Sequence, residues 1–262
     1  MTDELRRFRL DGRVAIVGGG SGGIGVRTCA ALAGAGADVA IVGRSAERLG
    51  EACAAVERSG RHALVLAADM ASREQADLAV EQAIEVLGRL DVVVNGIGGG
   101  AGTALYPAER YPDAEWQRIF DLNLTTAVHL SQAAARAMIA AENGGSILNI
   151  SSVRGQLGID AGYSAYVAAK GALDALTRQH ATEWAKYGIR VNAISPTFVR
   201  TAQAASLLAD QDFYERLVTR IPLRRIADPD DLVGAILFFC SAASDFVTGQ
   251  VLTLDGGLTA TQ

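Results

Sequence analysis

The segment Gly18 to Gly25 reads Gly-Gly-Gly-Ser-Gly-Gly-Ile-Gly and follows the apolar run Arg13 to Val17, with an alanine-rich helical pattern continuing to about Gly34. Strand, glycine loop and helix in that order leave few architectures open. Glycines let the backbone turn tightly and approach a pyrophosphate, whose charge is met by free N–H groups and the positive end of the following helix. The loop predicts a phosphate cradle at the carboxyl end of a buried strand.

The rest of the chain repeats the same alternation. Asp38 to Gly43 reads as the second strand, with Ser45 as the expected cap of the next helix, and Ala63 to Ala67 as the third. Asp69 follows it. Ser72 with Gln75 has the spacing of a capping box, which leaves Asp69 to bond something else, such as an adenine amino group. Asp91 to Asn95 is the fourth strand and runs into Gly96-Ile-Gly-Gly-Gly100, a second loop where backbone comes close to a ligand. Apolar residues recur at three- and four-residue steps from Asp113 to about Glu142, predicting one long helix, with Asn123 as the polar member of its buried side. That amide either bonds backbone or holds a water. Strands at Ser146 to Ile150, Ile189 to Ile194 and Gln250 to Leu254 complete a set of seven. Gly188 stops the helix between the fifth and sixth strands, and Asp228-Pro229-Asp-Asp231 starts another.

Strands alternating with helices predict parallel βαβ units, and so an α/β fold. We expect residues 1–262 to form a single domain, a doubly wound parallel seven-stranded sheet of Rossmann type with helices on both faces. Half the residues are hydrophobic and only 6% aromatic, as buried strands under small-residue helices require. A net charge of −5 argues against nucleic acid or an anionic membrane as partner, and points to a small molecule. Cys29, Cys53 and Cys240 lack metal-ligand spacing, so buried inert thiols, no metal and a reducing compartment are expected. A polar amino end and the lack of a long apolar run point to a cytoplasmic chain.

Chemistry concentrates between Asn149 and Lys170. On a helix, Tyr166 and Lys170 share a face, so phenol and ammonium act on one small volume, whereas Tyr163 has only Val167 four residues on. Tyr166 is thus the candidate acid and Tyr163 a wall residue. A fixed cation beside a phenol favours the phenolate and lowers its pKa. Ser152, just past the fifth strand, would sit opposite.

With these residues in place, the chain resembles the short-chain dehydrogenase/reductase family over nearly its whole length. The family loop Gly-x-x-x-Gly-x-Gly is matched by Gly19, Gly23 and Gly25, and its catalytic Asn, Ser, Tyr and Lys by Asn123, Ser152, Tyr166 and Lys170. The resemblance implies that Tyr166 moves the proton, Ser152 orients the carbonyl, Lys170 lowers the Tyr166 pKa and holds the nicotinamide ribose, and Asn123 anchors a relay water. It implies further cofactor contacts from Ser21, Ile24, Asp69, Met70, Asn95, Gly96, Pro196, Val199 and Thr201. The chain departs from the family pattern at Gly18, usually Thr, at Gly96-Ile97, usually Asn-Ala, and at Thr197, usually Gly.

The function implied is an NAD(P)-dependent oxidoreductase moving hydride between a nicotinamide cofactor and a carbonyl or secondary alcohol. The wording Arg220-Ile-Pro-Leu-Arg-Arg225 is similar to gluconate 5-dehydrogenases and to 3-oxoacyl carrier-protein reductases, so a sugar acid or small polar ketone is expected, with an acyl thioester as the alternative. Arg216, Arg220, Arg224 and Arg225 are the cations that would greet a carboxylate or an acidic carrier protein. An epimerase of the extended relatives and a non-catalytic nucleotide-binding protein are the remaining readings. The stretch from about 197 to 225 is where a substrate lid would lie. An acid at the end of strand two would repel a 2′-phosphate, but that place holds Gly43, with Arg44 next to it; NADP(H) is therefore expected in preference to NAD(H). Small apolar residues on several faces of the helices around 124–140 and 165–176 predict pairing between subunits, and relatives imply a homotetramer.

Overall fold

The computed structural model describes residues 2–99, 102 and 104–260; Gly100, at the end of the second glycine loop, lies outside them. Its seven strands are β1 (Val14–Gly18), β2 (Asp38–Gly43), β3 (Ala63–Ala67), β4 (Val92–Asn95), β5 (Gly145–Ile150), β6 (Ile189–Pro196) and β7 (Val251–Leu254). They form one sheet in the order β3-β2-β1-β4-β5-β6-β7, and every neighbouring pair is parallel. From β1 the chain winds outward to β3, then crosses back to lay β4 on the other side of β1. A crevice opens at the carboxyl ends of β1 and β4, where connections leave in opposite directions.

Alternation along each strand divides the core. Ala15, Val17, Val39, Ile41, Val92 and Val94 point to one face, under α2 (Gly23–Gly34), α3 (Gly50–Glu57) and α10 (Asp230–Cys240). Ile16, Ala40, Val42, Val93 and Ile147 point to the other, under α4 (Arg73–Leu87) and α6 (Thr126–Ala140). Both faces are buried, so the strands read as unbroken apolar runs. The amino end of β1 is fixed by buried Asp91, whose carboxylate accepts from Val14 N at 3.0 Å and pairs with Arg13 at 2.6 Å and Arg89 at 2.7 Å.

Three local expectations are corrected. Ser45 caps no helix: a 3₁₀ turn at Glu47–Leu49 intervenes before α3, with no side-chain cap on either element. The capping box before α4 is half formed, because Ser72 accepts from Gln75 N while the Gln75 amide oxygen turns to Asp69 N at 2.7 Å. The long helix from Asp113 is two, α5 (Asp113–Phe120) and α6, joined by a π turn at Asp121–Thr125. The helix after β5 is α7 (Ser164–Trp184), which passes through a 3₁₀ turn to Gly188 in the left-handed region at φ 72°. Cys29 and Cys240 are buried, with thiols pushed by burial up to about 12, whereas Cys53 is only half-buried.

Candidate active site

The two glycine loops meet backbone to backbone. Gly19 has φ +84°, and a Cβ there would lie 2.6 Å from Gly96 O, so the loop after β1 seats directly on the loop after β4. Gly96 N donates to Gly18 O at 2.9 Å and completes the join. The departures from the family pattern sit at this seam and fit one another: a Cβ on Gly18 would already lie 3.5 Å from Ile97 Cδ1 and 3.2 Å from Leu130 Cδ2. The larger Ile97 occupies space that a residue bigger than glycine at position 18 would contest. Gly23, at the start of α2, faces Thr201 across the opening, with a Cβ at 3.1 Å from Thr201 Cγ2.

Below this seam lies a cleft of about 220 Å³ lined from β4, β5, α7 and the segment after β6. Ser152, Tyr163, Tyr166 and Lys170 all reach it. The fifth strand ends at Ile150 and turns into a short 3₁₀ turn at Val153–Gly155, for which Ser152 is the cap, its Oγ accepting from Arg154 N at 3.2 Å. The same hydroxyl lines the cleft together with Tyr166. Lys170 stands one turn further along α7, its Nζ 5.7 Å from the Tyr166 ring centroid and donating to Ile150 O at 2.9 Å. Tyr163 meets the Tyr166 ring edge to face at 6.4 Å, the geometry of a wall residue.

Asn123 reaches the same place from the π turn. Its Oδ1 accepts from Gly99 N at 2.8 Å, and its Nδ2 donates to Gly99 O at 2.9 Å and Ile119 O at 2.9 Å. Of the two roles open to this buried amide, the side chain takes the backbone one. A Cβ on Gly98 would come within 3.0 Å of Asn123 Oδ1 and 3.2 Å of Lys170 Nζ, so glycine leaves the room in which the two polar groups converge.

The electrostatics differ from the expectation that Lys170 lowers the Tyr166 pKa. Burial raises the Tyr166 phenol above its usual value, against a lowering hydrogen bond from Ser152. Burial likewise pulls Lys170 down, to about 8, with Asp174 opposing. Burial thus works against the charged form of both groups. Asp174, one turn beyond Lys170 and 5% exposed, is held above the carboxylate range by burial, and its Oδ1 has no partner among the described residues. The sequence reading passed over Asp174, although its i+4 spacing from Lys170 was available.

The other expected contacts divide. Ile24, Gly96, Pro196, Val199 and Thr201 line the cleft. Asn95 is turned inward, its Nδ2 donating to Ser131 Oγ at 2.8 Å and Asn149 Oδ1 at 2.7 Å, so its side chain ties β4 to β5 and α6. Met70 packs its side chain in the core, at 1% exposure. Asp69 is exposed past β3, and its Oδ1 accepts from Ala71 N at 3.0 Å, so it is not wholly free. Arg44 is exposed at the end of β2 and, among the described residues, makes no ion pair, whereas Asp38 at the far end of that strand is taken by Arg61 at 2.8 Å. Of the four arginines near α9 (Gln211–Arg220), Arg225 is paired with Asp231 at 2.5 Å and Arg224 donates to Thr219 O at 2.6 Å. Thr197 adds a buried Oγ1 without a partner among the described residues, on the cleft wall.

These residues fit a dinucleotide. The amino end of α2 has no side-chain cap and no acid in its first turn, which leaves N–H groups and the helix dipole for an anion such as a pyrophosphate. The cleft at the far end of the loop offers Thr197 Oγ1 and Lys170.

Comparison with known proteins agrees with this geometry. A protein-family model described as enoyl-(acyl carrier protein) reductase matches residues 19–259. A 2-dehydro-3-deoxy-D-gluconate 5-dehydrogenase of Escherichia coli is 36% identical over 97% of this chain and 98% of its own length. Among solved structures, a short-chain type dehydrogenase/reductase from Mycobacterium marinum superposes with a TM-score of 0.92 at 34% identity, covering 99% of this chain and 100% of that one. A gluconate 5-dehydrogenase from Burkholderia cenocepacia, in complex with NADP and tartrate, gives a TM-score of 0.91 at 35% identity, covering 98% and 99%.

The Lys170 shift has a measurable consequence. Its folded pKa of about 8 lies below the ordinary 10.5, so between those values the unfolded chain binds the proton more tightly than the folded one. Folding stability therefore rises as pH climbs through that window, and the penalty is complete below it. In cofactor-free protein, the melting temperature of the wild type should gain on that of Lys170→Met between pH 8 and 10. Melting curves that stay parallel would show that Lys170 is not desolvated as described.

Proposed function

The chain belongs to the short-chain dehydrogenase/reductase family, and on that premise we propose how its residues divide the work of an NAD(P)-dependent oxidoreductase. The nicotinamide, when bound, gives or takes the hydride. Tyr166 takes the proton of a secondary alcohol in the oxidising direction and returns it to a carbonyl oxygen in the reducing one. Ser152, on the same cleft wall as Tyr166, donates to that same oxygen and orients it. Lys170, tethered to Ile150 O, supplies positive charge below the tyrosine and a donor for the nicotinamide ribose. Asn123 holds Gly99, and with it the loop that floors the cleft. The observation that carries this reading is the convergence of Ser152, Tyr166 and Lys170 on one cleft. Residues 197–225, which bring Gln203, Ala204 and Leu207 to the cleft wall, act as its lid. The substrate is a sugar acid or a related small polar ketone, supported by the gluconate and ketodeoxygluconate dehydrogenases among the relatives.

Tyr166→Phe keeps the ring and removes the hydroxyl. Turnover should fall by about 10²–10⁴ while cofactor binding survives, and Tyr163→Phe should do far less. Equal losses in the two variants, read by cofactor absorbance against a panel of alcohols and ketones, would refute the assignment.

We propose NADP(H) as the preferred cofactor. Gly43 removes the acid that would repel a 2′-phosphate, and exposed Arg44 stands beside it with no ion pair among the described residues. NADP in the Burkholderia relative is in keeping with this. Arg44→Ala should weaken the phosphorylated cofactor by about 1.5–3 kcal/mol and barely change the unphosphorylated one. Michaelis constants for both cofactors check it; unchanged selectivity would clear Arg44 of the role.

A homotetramer is the assembly we propose. Partly exposed Val167, Ala168 and Ala172 on α7, the open β7 edge with exposed Leu252, and exposed Phe246 before it are surface that a second subunit would cover. Light scattering at micromolar concentration should give four times the 27.3 kDa chain mass; a monomer would overturn it.

A further inference from the structure

The cleft has a charge pattern that the reaction does not explain. The chain carries more acids than bases, with a net charge of −5, yet among its described residues the cleft wall has no aspartate or glutamate and two cations, Lys170 and Arg154. Lys170 is spoken for. Arg154 follows Ser152 by two residues, its backbone N donating to Ser152 Oγ, so it is fixed to the turn that carries the orienting hydroxyl. Its guanidinium is half-buried, and among the described residues it makes one hydrogen bond, from Nη1 to Gly158 O at 3.1 Å. Among the described residues no carboxylate pairs with it.

Its charged neighbour is another cation. Burial disfavours the Arg154 charge, and the positive charge of Arg220, at the exposed carboxyl end of α9, adds to that cost. A partly desolvated guanidinium without a counter-ion is an arrangement that an incoming anion relieves. A guanidinium has five donors in a planar fork that matches a carboxylate, and one of them is used.

We propose that Arg154 is the specificity-determining residue that binds a carboxylate on the substrate, so that the alcohol or ketone turned over at Ser152 and Tyr166 belongs to a small hydroxy or keto acid. The proposal rests on the oxidoreductase reading above and adds the group that selects the substrate. Ser152 and Arg154 lie on one short turn, so the reacting carbon and the carboxylate are a few bonds apart, as in a sugar acid rather than a long acyl chain.

The test compares D-gluconate with sorbitol, the same carbon chain without the carboxylate, in wild type, Arg154→Gln and Arg154→Lys. The wild type should favour the acid, and the ratio of kcat/KM for acid over polyol should fall about tenfold to a hundredfold in Arg154→Gln. Arg154→Lys should recover part of the ratio. An unchanged ratio in Arg154→Gln, or a wild type with no preference for the acid, overturns the proposal and leaves the oxidoreductase reading intact. If neither compound is turned over, thermal stabilisation by D-gluconate with NADP(H) present decides. Stabilisation lost in Arg154→Gln supports the carboxylate site, and none in the wild type overturns it.

Discussion

Much of the site depends on one buried ammonium. Lys170 is 3% exposed and spends a hydrogen bond on Ile150 O, the last carbonyl of β5. That bond pins α7 to the carboxyl end of β5, and Tyr166, one turn earlier on α7, is thereby set beside the turn that begins with Ser152. An ammonium in such a place loses hydration that a single carbonyl does not replace, which is why its proton is loosely held. Holding a costly group in a fixed place is worthwhile where incoming ligand oxygens complete its shell.

Most of the fold could be read from the chain because strands and helices alternate without interruption and each glycine loop marks a strand end. The strands differ from expectation by a residue or two at their ends. The pairing of Tyr166 with Lys170 was legible for a related reason, since they share a helix and spacing alone places them together. Legibility failed where a polar side chain had more than one partner within reach. Gln75 chose Asp69 N over the cap, and Asn95 chose Ser131 and Asn149 over the cleft. Such choices depend on neighbours from distant parts of the chain. The direction of the Tyr166 shift was not legible because spacing reports the nearby cation but not the burial that raises the phenol.

Gly18 and Ile97 show how a departure from a family pattern can be absorbed. Position 18 belongs to β1 and position 97 to the loop after β4, and a Cβ added at the first already reaches the second. Volume lost at one is taken up at the other, while the backbone join of Gly19 to Gly96 is kept. The two positions form a single packing unit, and restoring the family's threonine at 18 alone would overfill it.

The π turn at Asp121–Thr125 gives one continuous rod two orientations. An extra residue in a helical turn changes the phase of everything downstream by about 100° around the axis. Upstream of it, Ile119 and Phe120 address the aromatic cluster behind Tyr166; downstream, Leu130, Ala134 and Met138 address the sheet. A regular helix of this sequence could satisfy one of these surfaces and would turn the other toward water. The turn works as a gearing between active site and core, so that the residues ahead of 121 and the face that packs on the sheet are set independently.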